Sequence, residues 1–537
     1  MSRQPFAQPG SRLVLYVNWD GFAYEWYRLV NTSYGGTPHI NALLQDGVLF
    51  TNASTGVPAI TGAMQQCLAS GAWPVDTGNC YRYYHAENNV VMQFARENKL
   101  ENIVEAAVRH KVRVAGVNAW YFENRGLFEG NEQQPYLRTE SMPSNFGQRV
   151  DELIKVIHGE PVRMGDKHII FDDIPQFLSI YADDIDTVAH NGRVTYDGLK
   201  VAGNIQEWYD NIAQTIMRMD QDLGRLVAAL RRTGRYEHSS IVLTTDHGMI
   251  HYGAHSKEQH HEAEPGALTS LYDMTACIAN VGLRHIGRKF AIEILPAGGM
   301  QAKSDTDIVI VPIMLQAQIT FLHPACHPAI PDIIEQIKSK WYYGTHLTSD
   351  QLMKAGLPST YADLVISSCP PYHFIPDPHG CYAVGGNHAS LDPQVKHIFT
   401  MLSGANIAKG VVCDKPISII DIAPTLARLL GFEGPQHATG TALDDGLQNH
   451  MQGPQLTITT TEDTIYTTVA TVSGKASSGA TITINGEHKG DVDESGSFAY
   501  TINCAAGVNR VLIEAAYGGR TSRRTIYMTV KDEMQST

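Results

Sequence analysis

The chain has 537 residues, enough for one large domain plus a smaller one, and its 43% hydrophobic and 18% charged residues are the balance of a folded globular protein. A formal net charge of −14 without any Lys/Arg-rich run argues against a polyanion-binding groove, so no nucleic-acid polymer is expected as a partner. No apolar run is long enough to span a membrane, and the eight cysteines form no CxxC pair, which argues against a zinc ribbon or redox motif.

In chain order, RLVLYVNWDG (12–21) is a nearly continuous apolar run ending in Asp and Gly, the pattern of a buried parallel strand. VPAITGAMQQCLASGAWP (57–74) holds a helical apolar face in which Ala63, Met64, Cys67 and Leu68 align, so Cys67 reads as core. NIVEAAVRHK (102–111) is helical and VRVAGVNAW (112–120) is the next strand. FLSIYADD (177–184), a long amphipathic segment at 203–232 and SSIVLTTDHG (239–248) repeat the alternation, and SIIDIAPTLARLLGF (418–432) adds one more packing helix. This βαβ rhythm predicts a parallel sheet flanked by helices.

Residues 280–380 break the rhythm with FAIEIL, DIVIVPIML, a helix-like AIPDIIEQIKSKWYY and a Pro-rich loop, which predicts an inserted subdomain. After about residue 450, short alternating runs separated by turn residues at the spacing of a β-sandwich predict a small second domain at 456–537, behind a main domain at 1–450.

Three carboxylates sit just after apolar strands: Asp20 in YVNWDG, Asp186 in YADDIDTVAH and Asp246 in LTTDHG. In open α/β sheets ligands gather at the carboxyl ends of strands, so all three could converge. His190 follows Asp186 by four residues, one face of a helical turn. His247 directly follows Asp246, and His388 follows a Gly-Gly pair expected to turn the backbone tightly. Each residue alone also fits a turn or a structural role; the ordered set across a βαβ chain carries the case.

That set, with NWDGF, the P-x-x-T…SG-x-x-P frame of 58–74, GGNH and DIAPTLARLLG, resembles the type I phosphodiesterase/nucleotide pyrophosphatase branch of the alkaline phosphatase superfamily over roughly residues 12–445. The resemblance implies an alkaline-phosphatase-like α/β fold and two zinc ions. Asp186, His190 and His388 would hold one ion, and Asp20, Asp246, His247 and the Thr61 hydroxyl the other. Carboxylate and imidazole are good zinc ligands, and paired metals suit an in-line displacement at phosphorus. Cys67 would be the nucleophile of a sulfatase, but CLASG lacks the Pro and Arg of that family's C-x-P-x-R motif. Thr61, near a helix start that favours phosphate, is the expected nucleophile of a two-step hydrolysis through phospho-threonine; its alternative is an N-cap hydroxyl.

The chain departs from the family at the phosphate-binding Asn that follows the nucleophile by about twenty residues. Asn79 comes slightly early and Arg82 falls at about the right distance; Asn79 would suit a diester and Arg82 a monoester, and either could be a loop residue instead. The usual His-Gly before that Asn reads Thr77-Gly78, and the Gly after the last ligand is Ala389. HYGAHSKEQHHEAE (251–264) reads as a solvated His-rich loop, and Trp120, Tyr121 and Phe122 could stack an aryl group or pack beside the sheet.

The expected activity is hydrolysis of phosphate diesters or nucleotide pyrophosphate-type bonds in a small phosphate-ester substrate. The alternatives are a phosphomonoesterase or phosphonate hydrolase on the same site, or an inactive surface-binding protein. The C-terminal region resembles bacterial immunoglobulin-like modules, which favours a cell-surface or extracellular setting and a carbohydrate or surface contact. The N-terminus, lacking a signal peptide's apolar stretch, points instead to the cytoplasm if Met1 is the natural start.

Overall fold

The computed structural model describes residues 13–140, 143–192, 196–253, 270–376, 384–461 and 464–531. Its centre is an eight-stranded sheet. The strand Leu13–Trp19, buried at every position, lies between Phe177–Ala182 and Ser239–Thr244, and pairs in parallel with both. Val114–Val117 and Tyr136–Leu137 extend one side in parallel; on the other, Thr400–Gly404 runs antiparallel, followed by Gly47–Phe50 and Val411–Cys413. Strands covered on both faces need apolar residues on both, so these segments read as unbroken runs.

Each face of the sheet carries its own core. On one side the 28-residue helix Ile205–Arg232 starts at Asn204, whose side chain accepts from the Glu207 N–H, and buries Trp208, Ile212, Ile216, Met219, Leu223, Leu226 and Leu230 at helical spacing. On the other, Ile422–Leu430 packs beside Thr61–Ser70 and Ile103–Arg109.

The expected break after residue 280 is a five-stranded sheet containing Ile292–Ile294, Ile308–Ile313, Gln316–Phe321, Leu364–Ser368 and Tyr343–Thr348, with Ser270–His285 and Ile330–Lys338 sharing its core. The tip of the Pro-rich loop and most of the His-rich segment lie outside the described residues. Beyond residue 455 a three-stranded and a five-stranded sheet enclose one apolar cluster, with the buried–exposed alternation of Val469–Ala476 showing why the sequence there reads with period two. No helix among the described residues is long and apolar enough to cross a membrane. The seven described cysteines are free, and Cys67 is fully buried with its thiol pushed up by that burial.

Candidate active site

The carboxyl edge of the central sheet gathers the seven metal-ligand candidates. Asp20 leaves the strand Leu13–Trp19 with its N–H on the Ala182 carbonyl at 2.8 Å, continuing the ladder by one residue. Gly21 follows at φ +78°, and a Cβ there would stand 3.2 Å from the Asp186 Cα, so glycine lets this turn press on the helix Asp184–His190. One helical turn places Asp186 Oδ1 3.3 Å from His190 Nε2. Asp246 and His247 follow the strand Ser239–Thr244, with Thr245 between.

His388 follows Gly385–Asn387, a short strand antiparallel to Ile250–Tyr252 rather than the tight turn expected of Gly-Gly. The glycine requirement there is one of space, since a Cβ on Gly386 would lie 2.4 Å from the Ala189 carbonyl oxygen.

The result is two adjoining groups, Asp186–His190–His388 and Asp20–Asp246–His247, the second completely buried. His247 and His388 connect them, their rings stacked at 3.7 Å. All three imidazoles bond the same way: Nδ1 of His190 to the Gly386 carbonyl, of His247 to Gly248 and of His388 to Ala59, at 2.9, 3.1 and 2.7 Å. A carbonyl only accepts, so Nδ1 carries the proton and the Nε2 lone pair faces the carboxylates, the tautomer a metal ligand needs.

The carboxylates are equally one-sided. Asp20 Oδ2 accepts from the Tyr181 hydroxyl, and Asp246 Oδ1 from the His247 N–H at 3.0 Å. Asp20 Oδ1, Asp186 Oδ1 and Asp246 Oδ2 are buried with no hydrogen-bond donor. Unpaired buried anionic oxygens facing one another are costly unless a cation joins them.

The proton equilibria carry the same imprint. Burial, with Asp246 and Asp186 adding repulsion, holds the Asp20 carboxyl well above the usual range, and burial raises Asp246 to about 6. Burial also pushes Asp186 up, but His190, His388 and His247 outweigh it and hold it low. Burial lowers His247 to about 4 and His388 to about 3, keeping both imidazoles neutral, whereas His190, opposed by burial, is raised by Asp186.

Thr61 is the first residue of the helix Thr61–Ser70, and Ile60 occupies the N-cap without a side-chain cap. The Thr61 hydroxyl therefore does not cap the helix; its Oγ lies 3.0 Å from His247 Nε2. The two phosphate-binding candidates lie off this centre. Asn79 is fully buried, its Nδ2 against the carbonyls of Gly62, Ala95 and Glu97 and its Oδ1 accepting from the Tyr81 N–H. Arg82 donates to Gln93 Oε1 and to the Pro296 carbonyl, both at 2.5 Å, towards the second sheet. Tyr121 and Phe122 are buried, while Trp120 is half-buried, its ring perpendicular to that of Tyr181 with the two centres 6.2 Å apart and the Arg96 guanidinium over its face.

Sequence reasoning missed the polar support behind the candidate ligands. Asn18 Nδ2 donates to Gln65 Oε1 at 2.7 Å, tying the strand that carries Asp20 to the helix that carries Thr61, and Tyr181 holds Asp20 from the next strand. The available signal was a polar side chain inside an apolar run: Asn18 in LVLYVNW and Gln65 on a helix of small apolar residues.

The fold resembles three solved structures. Murine ectonucleotide pyrophosphatase / phosphodiesterase 5 aligns at 14% identity and TM-score 0.51 over 79% of this chain and 97% of that one. An inactive threonine-to-alanine variant of the murine protein in complex with AMP aligns at 15% and 0.53 over 81% and 100%. The human protein of the same name aligns at 15% and 0.53 over 82% and 100%. Identities this low establish the fold alone. A search of curated protein sequences gave no match. The family model "Type I phosphodiesterase / nucleotide pyrophosphatase" matches residues 14–355, more than half of the chain and all of the site except His388. The chain belongs to the type I phosphodiesterase/nucleotide pyrophosphatase family, whose members hydrolyse phosphodiester and pyrophosphate-type bonds.

Proposed function

We propose that the protein is a zinc-dependent hydrolase of small phosphate diesters or nucleotide pyrophosphate-type bonds, working through a phospho-threonine intermediate on Thr61. The observation that carries this is the Thr61 hydroxyl at the open start of a helix, 3.0 Å from His247 Nε2, beside two carboxylate–imidazole groups with orphaned oxygens. Asp186, His190 and His388 would hold one zinc, and Asp20, Asp246, His247 and Thr61 Oγ the other; all-N/O donor sets with open positions suit catalytic zinc. When bound, two such ions supply positive charge at the transferring phosphoryl group and make a hydroxyl a better nucleophile.

The chain's own residues do the rest. Thr61 Oγ attacks phosphorus, displacing the ester oxygen, and water cleaves the phospho-threonine in a second displacement. The first N–H groups of the Thr61–Ser70 helix have no intrahelical partner and are donors for phosphate oxygens. Of the two expected phosphate ligands, Asn79 touches Gly62, the residue after Thr61, while Arg82 is anchored to Pro296. The half-buried Trp120 beside Tyr181 offers an aromatic shelf at the site's edge, compatible with a nucleoside moiety such as that of the AMP bound to the murine relative. In the same reading, residues 456–537 form an immunoglobulin-like module of a surface or extracellular protein, a reading supported by their two sheets around one core.

The test is initial rates on bis-p-nitrophenyl phosphate and p-nitrophenyl phosphate with zinc-reconstituted protein and its Thr61→Ala variant. Diester turnover exceeding monoester turnover and falling at least ~10³-fold in Thr61→Ala is expected. Monoester preference would move the assignment to a phosphomonoesterase. Full activity in the variant would remove Thr61 as nucleophile.

A further inference from the structure

Asp20, Asp186 and the Asp246–His247 pair follow strands of the central sheet, but His388 does not. It follows Gly385–Asn387, which forms a two-stranded sheet with Ile250–Tyr252. A ribbon of three residues a side is marginal by itself. The inserted subdomain adds support, reaching His388 from two sides.

The first contact is a hairpin tip. Ile308–Ile313 and Gln316–Phe321 pair with Ile313 opposite Gln316, so Met314 and Leu315 form the turn. Met314 sits at φ +53°, where a two-residue turn normally takes glycine, asparagine or aspartate. Such a conformation persists where its surroundings enforce it. Here the Phe374 N–H donates to the Met314 carbonyl at 2.7 Å, and the Leu315 carbonyl accepts from the Ser368 N–H at 2.8 Å. The Leu315 side chain is buried in one cluster with Ala59, Ile250 and Val395. Ala59 is the residue whose carbonyl holds His388 Nδ1 at 2.7 Å. The tip therefore backs the acceptor that orients the ring.

The second contact is a pair of buried hydroxyls. Ser367, on the strand Leu364–Ser368, has Oγ 3.0 Å from Ser390 Oγ and accepts from the Leu391 N–H at 3.0 Å. Ser390 Oγ accepts from the Asp392 N–H at 3.1 Å, and the Ser390 N–H donates to the His388 carbonyl at 2.8 Å. Ser367 Oγ also lies 3.4 Å from the Leu315 carbonyl. With Ser390 donating to Ser367 and Ser367 to Leu315, each hydroxyl donates once, and the chain of bonds returns to the tip behind Ala59. His388 is thus held at its ring through Ala59 and at its main chain through Ser390.

We propose that Ser367 and Ser390 are positioning residues that fix His388, so that the inserted subdomain completes the Asp186–His190–His388 group. Their role rests on His388 being a zinc ligand, as proposed above. Neither serine reaches the imidazole; both act through the loop that carries it.

The experiment uses full-length protein, wild type and Ser367→Ala, with ¹⁵N-labelled histidine. In the metal-free state the His388 Nδ1 proton should exchange with solvent about tenfold faster in the variant, while that of His190 stays within about twofold of wild type. His388→Ala assigns the resonance. Competition with a chromogenic chelator should show about tenfold weaker zinc binding at one of two sites, the size of loss seen when partners of metal ligands are removed. Adding Ser367→Ala to His388→Ala should cost nothing further, because a positioning residue acts through the ligand it positions. Ser390→Ala removes the other hydroxyl and should reproduce both effects, so one poorly folding variant does not end the test. Unchanged exchange at His388 would overturn the positioning. That readout needs no metal, so failure of the zinc reading is seen separately, as wild-type protein taking up no zinc. An equal loss of zinc affinity in the wild-type and His388→Ala backgrounds would also overturn it, since that marks a general effect on the fold.

Discussion

Replacing Gly21 by Ala tests whether the two ligand groups act as one centre. Gly21 sits at φ +78°, a backbone region that costs a residue with a Cβ about 1–2 kcal/mol. The added methyl would meet the Asp186 Cα at 3.2 Å, its N at 3.3 Å and its Cβ at 3.4 Å. Carbon–carbon contacts are favourable at about 3.5–4.0 Å, so the turn carrying Asp20 and the helix carrying Asp186 must separate by roughly 0.3–0.6 Å. Overpacking of this kind adds about 1–3 kcal/mol, for a total destabilisation of about 2–5 kcal/mol and a clear fall in Tm. A misplacement of ~1 Å costs about 10²-fold in rate, so this shift should lower kcat/KM about 4- to 20-fold, or about 1–2 kcal/mol of transition-state stabilisation. The assay is initial rates on bis-p-nitrophenyl phosphate after zinc reconstitution, with zinc stoichiometry by atomic emission and unfolding by circular dichroism. A lowered Tm with kcat/KM within twofold of wild type would refute the reasoning, because the groups would then function independently of the spacing this glycine sets.

Other substitutions address single contacts. Tyr181→Phe removes the hydroxyl that holds Asp20 Oδ2; partners of metal ligands are worth about 10–100-fold in metal affinity, and competition with a chromogenic chelator should show a loss of that size at one of two sites. Asn79→Ala leaves the Tyr81 N–H without its acceptor and should cost about 1–3 kcal/mol in urea unfolding; if Asn79 also binds phosphate, KM for a diester should rise as well, whereas Arg82→Ala should change KM less. Lys396 gives a pH signature. Its pKa is near 7 when folded and about 10.4 when unfolded, so between these values the unfolded chain binds more protons and stability rises with pH. The penalty is complete below pH 7, so the Tm advantage of Lys396→Met over wild type should be largest near pH 6 and narrow towards pH 10. A constant gap would show that Lys396 keeps its proton on folding.

The clustered carboxylates and imidazoles could be read from sequence because each candidate stands at the end of an apolar strand or one helical turn away: Asp20, Asp246–His247, and Asp186 with His190. Strand ends are where a parallel sheet collects its ligands, so locating the strands located the carboxylates. Side-chain direction was less legible. Asn79 and Arg82 sit at suitable distances from Thr61 along the chain, yet one amide is drawn into three neighbouring carbonyls and the other side chain is pulled to Pro296, a partner 214 positions away. Whether Thr61 capped its helix depended on one residue of register, decided by the extended conformation of Ile60. Tyr181 looked like one more apolar position of FLSIYADD because its hydroxyl partner lies 161 positions away.

What distinguishes this cluster from an ordinary buried polar network is its repeated asymmetry. A network that serves only the fold pairs its groups with each other, since every unsatisfied atom subtracts from stability. Here the imidazoles of His190, His247 and His388 each use Nδ1 on a main-chain carbonyl and leave Nε2 inward. Asp20 and Asp246 each receive a donor on one oxygen and present the other, bare, to the same space, where Asp186 Oδ1 is bare as well. Burial drives His247 and His388 towards neutrality, so of the three imidazoles His190 alone, raised by Asp186, can offer positive charge. With three carboxylates and two neutral rings around Thr61, the centre as folded is short of cations. Bound cations would supply that charge.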